Sequence, residues 1–236
     1  MLNIAQRFSR LAIFLMLLLA THACSQGAHG PVSVQATPPN IQVKYLDDIY
    51  WKQRTKFGRA YTDWSFACPA VVKVKELTDL RKANSYVFEV TNVDIVLALN
   101  MTQSLPDGVK DALRKHEETH CQMSSDVYKE APQAATEIAT AMIGKKVSVT
   151  ASDPDTARRM ASLEARTQIT SEYKKRVAFK ADALGVIFDR ITNHGMNGVT
   201  NADGSKRSFE EYAKSKKPAA DTSAQPGPVV TPMTSP

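Results

Sequence analysis

Lys115-His116-Glu117-Glu118-Thr119-His120-Cys121 sets two histidines four positions apart, with a glutamate directly after the first. On a helix, four residues turn about 400° and rise about 6 Å, so both imidazoles share one face and can reach one metal ion. Glu117 is one step round from His116. Its carboxylate can lie beside the metal without ligating it, and there it can take a proton from an activated water. The surrounding pattern predicts a helix that opens near Ser104-Leu105-Pro106-Asp107 and runs towards Ala131-Pro132. Ser104 or Asp107 is the candidate cap, and Pro106 suits the first turn. Val109, Ala112, Leu113, His116, His120, Met123 and Val127 recur three and four apart, which puts both histidines on the inward stripe. The competing reading is a pair of core histidines satisfied by hydrogen bonds. It carries the desolvation cost of burying a His-Glu-His stripe with no ion.

Upstream of this helix the period changes from helical to alternating. Trp64, Phe66 and Cys68 fall on one side of a predicted strand, and after Pro69 the pattern resumes at Val72. Residues 86–90 and 93–99 are two further β-rich runs joined by Thr91-Asn92, and residues 41–46 are a candidate first strand. Downstream, residues 131–143 read as a second helix ended by Gly144. Asp153-Pro154 then opens a long helix reaching about Asn193. The fold class expected is α+β: a small, largely antiparallel sheet packed against two or three helices, in one folded unit spanning residues 41–200.

The flanks differ in kind. Residues 1–23 combine Arg7 and Arg10 with a short apolar run at residues 11–20, the pattern of an export signal. Residues 24–40 are rich in Gly, Pro, Ser and Gln and read as a flexible tether; residues 201–236 read as a polar, disordered tail. The expected location is the periplasm, or the outer membrane of a bacterium if Cys24 is lipidated; an ordinary signal-peptidase site fits the same residues. Three cysteines occur, and an exported chain with Cys24 lipidated or removed leaves Cys68 and Cys121 as one pair. Such a disulfide would close a loop of ~50 residues and add up to ~4 kcal/mol on the chain-entropy model. Two free buried thiols are the alternative. The formal net charge of +6 is dispersed over the 236 residues, without the clustered basics and stacking aromatics of a nucleic-acid surface.

Two histidines do not complete a catalytic zinc site, which ordinarily takes three protein ligands and a water. The position six residues after His120 is Asp126, with no glycine turn before it, so a third histidine at that spacing is absent. Downstream candidates are Glu137, Glu164, Glu172, Asp182, Asp189 and His194. Glu164 and Glu172 lie on the long helix. His194 stands at its end beside Gly195 and supplies a nitrogen donor like the other two.

Phe188-Asp189-Arg190-Ile191-Thr192-Asn193-His194-Gly195 resembles the aromatic-Asp-x-x-Thr-x-His-Gly segment of a bacterial family of predicted secreted zinc-dependent proteases. That family also carries His-Glu-x-x-His on a preceding helix. Ala60-Tyr61-Thr62-Asp63-Trp64-Ser65-Phe66 resembles its Thr-x-Trp-x-aromatic strand, so the likeness covers residues 41–198. The family usually has tyrosine where Phe188 stands and commonly glycine where Thr119 stands. The resemblance implies Zn2+ held by His116, His120 and His194, Glu117 as general base, and Asp189 orienting an imidazole from behind. The function expected is exported metallopeptidase on a peptide or protein substrate. The alternatives are a zinc-containing envelope binding or assembly protein without turnover, and a cell-wall amidase using the same metal chemistry.

Overall fold

The computed structural model describes residues 30–47 and 60–216. The predicted leader, the Cys24 site, residues 48–59 and residues 217–236 lie outside the described residues.

The centre is one long strand. β5 (Ser85–Pro106) is the spine of a six-stranded sheet to which all the others pair: β1 (Val32–Ala36), β2 (Asn40–Leu46), β3 (Tyr61–Ala67), β4 (Ala70–Glu76) and β6 (Lys146–Thr150). The two runs expected at 86–90 and 93–99 are therefore a single strand. Its register slips opposite Lys73/Val74: Asn92 pairs with Lys73 and Val90 with Val74, which leaves Thr91 as an extra residue. The Thr91 hydroxyl donates to the Lys73 carbonyl at 3.2 Å and satisfies the bulge locally. The insertion switches the buried parity from Tyr86, Phe88 and Val90 to Val93, Ile95, Leu97, Leu99 and Met101, so one face stays buried along the whole strand. On the opposite face Val71 and Val96 are exposed.

The expected small antiparallel sheet is overturned. β1 and β2 run parallel to β5, while β3, β4 and β6 run antiparallel to it. Val93 and Ile95 pair with both β1 and β4, which puts those two strands on opposite edges of β5. β3 and β4 keep one register across Cys68-Pro69. β1 occupies sequence expected to be tether. Its short Val-Ser-Val alternation is flanked by Gly and Pro, and parallel pairing to a strand some 60 positions away leaves no hairpin signal nearby.

Among the described residues, five α-helices accompany the sheet rather than two or three: α1 (Asp111–Lys129), α2 (Ala131–Met142), α3 (Pro154–Tyr173), α4 (Phe179–Thr192) and α5 (Asn201–Ser215). α1 starts later than the pattern suggested, because Ser104, Leu105 and Pro106 complete β5 and Gly108 turns the chain at φ 67. Asp153 caps α3 as expected, accepting from the Thr156 N–H at 2.9 Å. The expected single long helix is interrupted by a π turn at Lys174–Ala178 and then continues as α4. α5 corrects the polar-tail reading of residues 201–215: Thr200 caps it, and Gly204 and Ser208 are buried. A β-carbon on Gly204 would meet Thr192 Cγ2 at 2.6 Å and Phe188 Cε2 at 3.0 Å, so α5 seats against α4 at van der Waals limit. Among the described residues no helix is long and apolar enough to cross a membrane.

Candidate metal site

α1 carries His116, Glu117 and His120 inward, and all three are buried. α4 brings Asp189 to meet them. The Nε2 atoms of His116 and His120 approach the same carboxylate oxygen, Asp189 Oδ1, at 3.0 and 2.9 Å. One donor atom from each of these three residues lies within 4.8 Å of the others, a group able to hold a metal ion. Burial alone would raise the Asp189 carboxyl. Hydrogen bonds from His116 and His120, with the charges of His120 and His194 nearby, outweigh it and hold Asp189 well below the usual carboxylate range.

The structure places the two remaining sequence-based candidates differently from one another. Asp189, expected behind an imidazole, sits in the donor group. His194, expected as third ligand, lies outside it: its side chain is 68% exposed and its Nδ1 is 3.5 Å from Asp189 Oδ1. The chain turns there through three consecutive left-handed residues, Asn193, His194 and Gly195, at φ 47, 53 and 74. For two residues with side chains that is an uncommon conformation, and it brings His194 to the edge of the site. The other carboxylates considered are engaged elsewhere. Glu137 pairs with Arg176 at 3.1 Å, Glu164 accepts from Gln168 at 3.4 Å, and Glu172 pairs with Lys175 at 2.8 Å.

Aromatic rings fix the two imidazoles. Phe188 stacks on His116 at 4.8 Å between centroids and meets His120 edge-on at 5.0 Å. It is fully buried, so packing is its role, and it does not face the cleft. Trp64 of β3 stacks on His120 at 6.0 Å, and its indole N–H donates to Asp182 Oδ1 at 2.8 Å. Gly185 makes room for that indole, since a β-carbon there would lie 2.9 Å from Trp64 Cη2. Gly195 lies over the His116 ring less tightly, since a β-carbon there would be 3.4 Å from His116 Cβ and Cγ, near ordinary van der Waals contact.

Glu117, only 4% exposed, accepts a hydrogen bond from the Thr62 hydroxyl at 2.8 Å. Burial pushes its carboxyl above the ordinary range; the charges of His120 and His116 and the Thr62 hydrogen bond partly offset that. Sequence reading missed the roles of Thr62, Trp64 and Asp182. The signal was period two: Thr62 and Trp64 share one face of β3, and that face looks onto α1.

Cys68 and Cys121 are free, buried thiols, so the expected disulfide is corrected. Burial pushes each thiol up to about 11. Cys121 meets the side chains of Gln103 and Thr62, which places it in the polar layer behind Glu117.

The donor set suits a divalent ion. Two imidazole nitrogens and one carboxylate oxygen match the ligand classes of a three-ligand site with an open position, and zinc accepts all of them. Among the described residues the His116 Nδ1 is buried without a hydrogen-bond partner, which is costly for a polar atom. In front lies a cleft of about 720 Å³, walled by Ala60, Tyr61, Trp64, Leu113 and Met196, with Lys110 at its rim and Glu117, His120 and Asp189 at its base. Compared with known proteins, the chain matches no family model, no curated protein and no solved structure.

Proposed function

We propose that the site is the zinc centre of an exported metallopeptidase, with His116, His120 and Asp189 as ligands and Glu117 as general base. One observation carries this reading. A buried His-Glu-x-x-His face converges with a carboxylate at the base of an open, mostly apolar cleft. The sequence resemblance to predicted secreted zinc-dependent proteases points the same way.

When bound, the ion supplies Lewis acidity towards a carbonyl and towards water. The chain supplies the rest. Glu117 takes the proton of the attacking water and delivers it to the leaving amine. His194, exposed at the edge of the cleft, is placed to donate a hydrogen bond to a polar group of the substrate. Tyr61, Thr62 and Trp64 of β3 line the cleft, and the substrate peptide is read as lying along them.

The test uses the mature chain loaded with zinc and a pool of internally quenched peptides. Hydrolysis is expected from the wild type. In Glu117→Gln it should fall by about 100-fold or more with zinc stoichiometry unchanged. Hydrolysis that survives in Glu117→Gln, or a wild type that binds no zinc, overturns the reading.

A further inference from the structure

We propose that Thr62 is the positioning residue for Glu117, holding its carboxylate in the orientation that the histidine pair requires. The proposal rests on the metallopeptidase reading above, and it gives the sheet a second contact with the site beside that of Trp64.

Four observations support it. The Thr62 hydroxyl donates to Glu117 Oε2 at 2.8 Å, with the Glu117 main-chain carbonyl a weaker second acceptor at 3.3 Å. Among the described residues it is the hydrogen-bond donor to that carboxylate, which otherwise sits in a buried, poorly solvated position. Thr62 is itself fixed by the sheet, since it pairs with Gln103 in the β3–β5 register. Two residues on, Trp64 packs on His120 from the same face of β3. One strand therefore grips both the base and a metal-binding histidine and sets the distance between them. A glutamate side chain has three rotatable bonds, and a buried carboxylate with no partner would turn to the nearest cation. In this site that is the ion, where Glu117 would act as a ligand and cease to be a base.

The experiment compares wild type, Thr62→Ser and Thr62→Val in the mature chain. Valine keeps the branched shape that the strand favours and removes only the hydroxyl. Zinc affinity is read with zinc alone by competition against a chromophoric chelator, and kcat and KM are read on the quenched-peptide pool. In the zinc-free protein, denaturant unfolding is read for a double-mutant cycle of Thr62→Val with Glu117→Ala. Thr62→Val should lower kcat about tenfold or more with KM within about twofold, and Thr62→Ser should stay within about threefold of wild type. The cycle should be non-additive, with Thr62→Val costing less stability once Glu117 is alanine. Additive unfolding effects, or an active wild type matched by Thr62→Val, overturn the positioning role. A wild type that cleaves nothing while the cycle remains non-additive overturns the peptidase reading and leaves the Thr62–Glu117 contact standing.

Discussion

The Phe188 ring lies nearly flat against the His116 imidazole, 4.8 Å between centroids and 17° between planes. It also meets His120 edge-on, so one phenyl group holds both histidines. Phe188→Ala is expected to cost about 3–5 kcal/mol of stability, as for other buried aromatics. Because the rings lose their backing, zinc affinity should also fall, by about 10–100-fold. Thermal melts with and without zinc separate the two effects. A variant destabilised equally in both conditions would show that the ring packs the core without aligning the ligands.

Asp189 and His194 lie five residues apart on one turn and divide the work differently. Asp189 contacts both histidines at 3.0 and 2.9 Å, whereas His194 approaches Asp189 at 3.5 Å. Asp189→Ala should abolish stoichiometric zinc. His194→Ala should keep it, with less than about tenfold loss of affinity, because it removes a neighbour of a ligand and not a ligand. Equilibrium dialysis against zinc decides between them; the reverse pattern would restore His194 as third ligand.

Buried Glu117 and half-buried Asp189 give the zinc-free protein opposite pH dependences. Asp189 is depressed in the folded state. Its contribution is fully present above the unfolded carboxylate value of about 3.9 and is lost as pH falls through that value towards the folded one. Glu117 is raised, so burial of its ionised form costs stability; that penalty shrinks as pH falls below its folded value and is gone at the unfolded one. Asp189→Asn should therefore flatten the acid limb of a stability-against-pH curve. Glu117→Gln should make the zinc-free protein more stable at pH 7 than wild type, with the gain shrinking as the solution is acidified. Urea midpoints at a series of pH values read both.

Gly204 decides whether α5 belongs to the folded unit. Its backbone sits where any side chain would strike Thr192 Cγ2 at 2.6 Å, and the Arg190–Glu211 pair at 2.5 Å ties the two helices further along. Gly204→Val should cost about 1–3 kcal/mol by overpacking. Removing residues 201–236 should cost more, because the Phe188 ring under the metal site then loses its cover. A truncated chain with an unchanged melting temperature would return this segment to the status of a tail.

What the sequence made legible was whatever depends on local spacing. His116, Glu117 and His120 announce themselves through a four-residue interval, and Asp153-Pro154 announces a helix start through capping chemistry. Asp189 was visible as a polar residue on an apolar helix, but its role depends on how α4 lies against α1, which no periodicity encodes. The parallel pairings of β1 and β2 are non-local and leave no turn signature. The bulge at Thr91 looked like a loop because an inserted residue breaks alternation in the same way that a turn does. α5 was hidden by composition: its buried residues are the small Gly204 and Ser208, and its apolar contribution is the part-buried pair Phe209 and Tyr212 in an otherwise polar segment.

The two cysteines provide the last check, since compartment-based arithmetic and the structure disagree about them. In the folded protein both thiols are buried and pushed up to about 11. At pH 8 roughly one part in a thousand of each is then thiolate, against about a quarter for an ordinary exposed cysteine. A chain beginning at Ser25, which removes Cys24 from the count, should show almost no fast reaction with a thiol-specific chromogenic disulfide. In denaturant it should release two equivalents at once. Cys121→Ser should leave one equivalent, that of Cys68. No reactive thiol in denaturant, with a mass two units below that of the reduced chain, would mean that Cys68 and Cys121 are joined, and that β3–β4 and α1 are tied covalently rather than by packing.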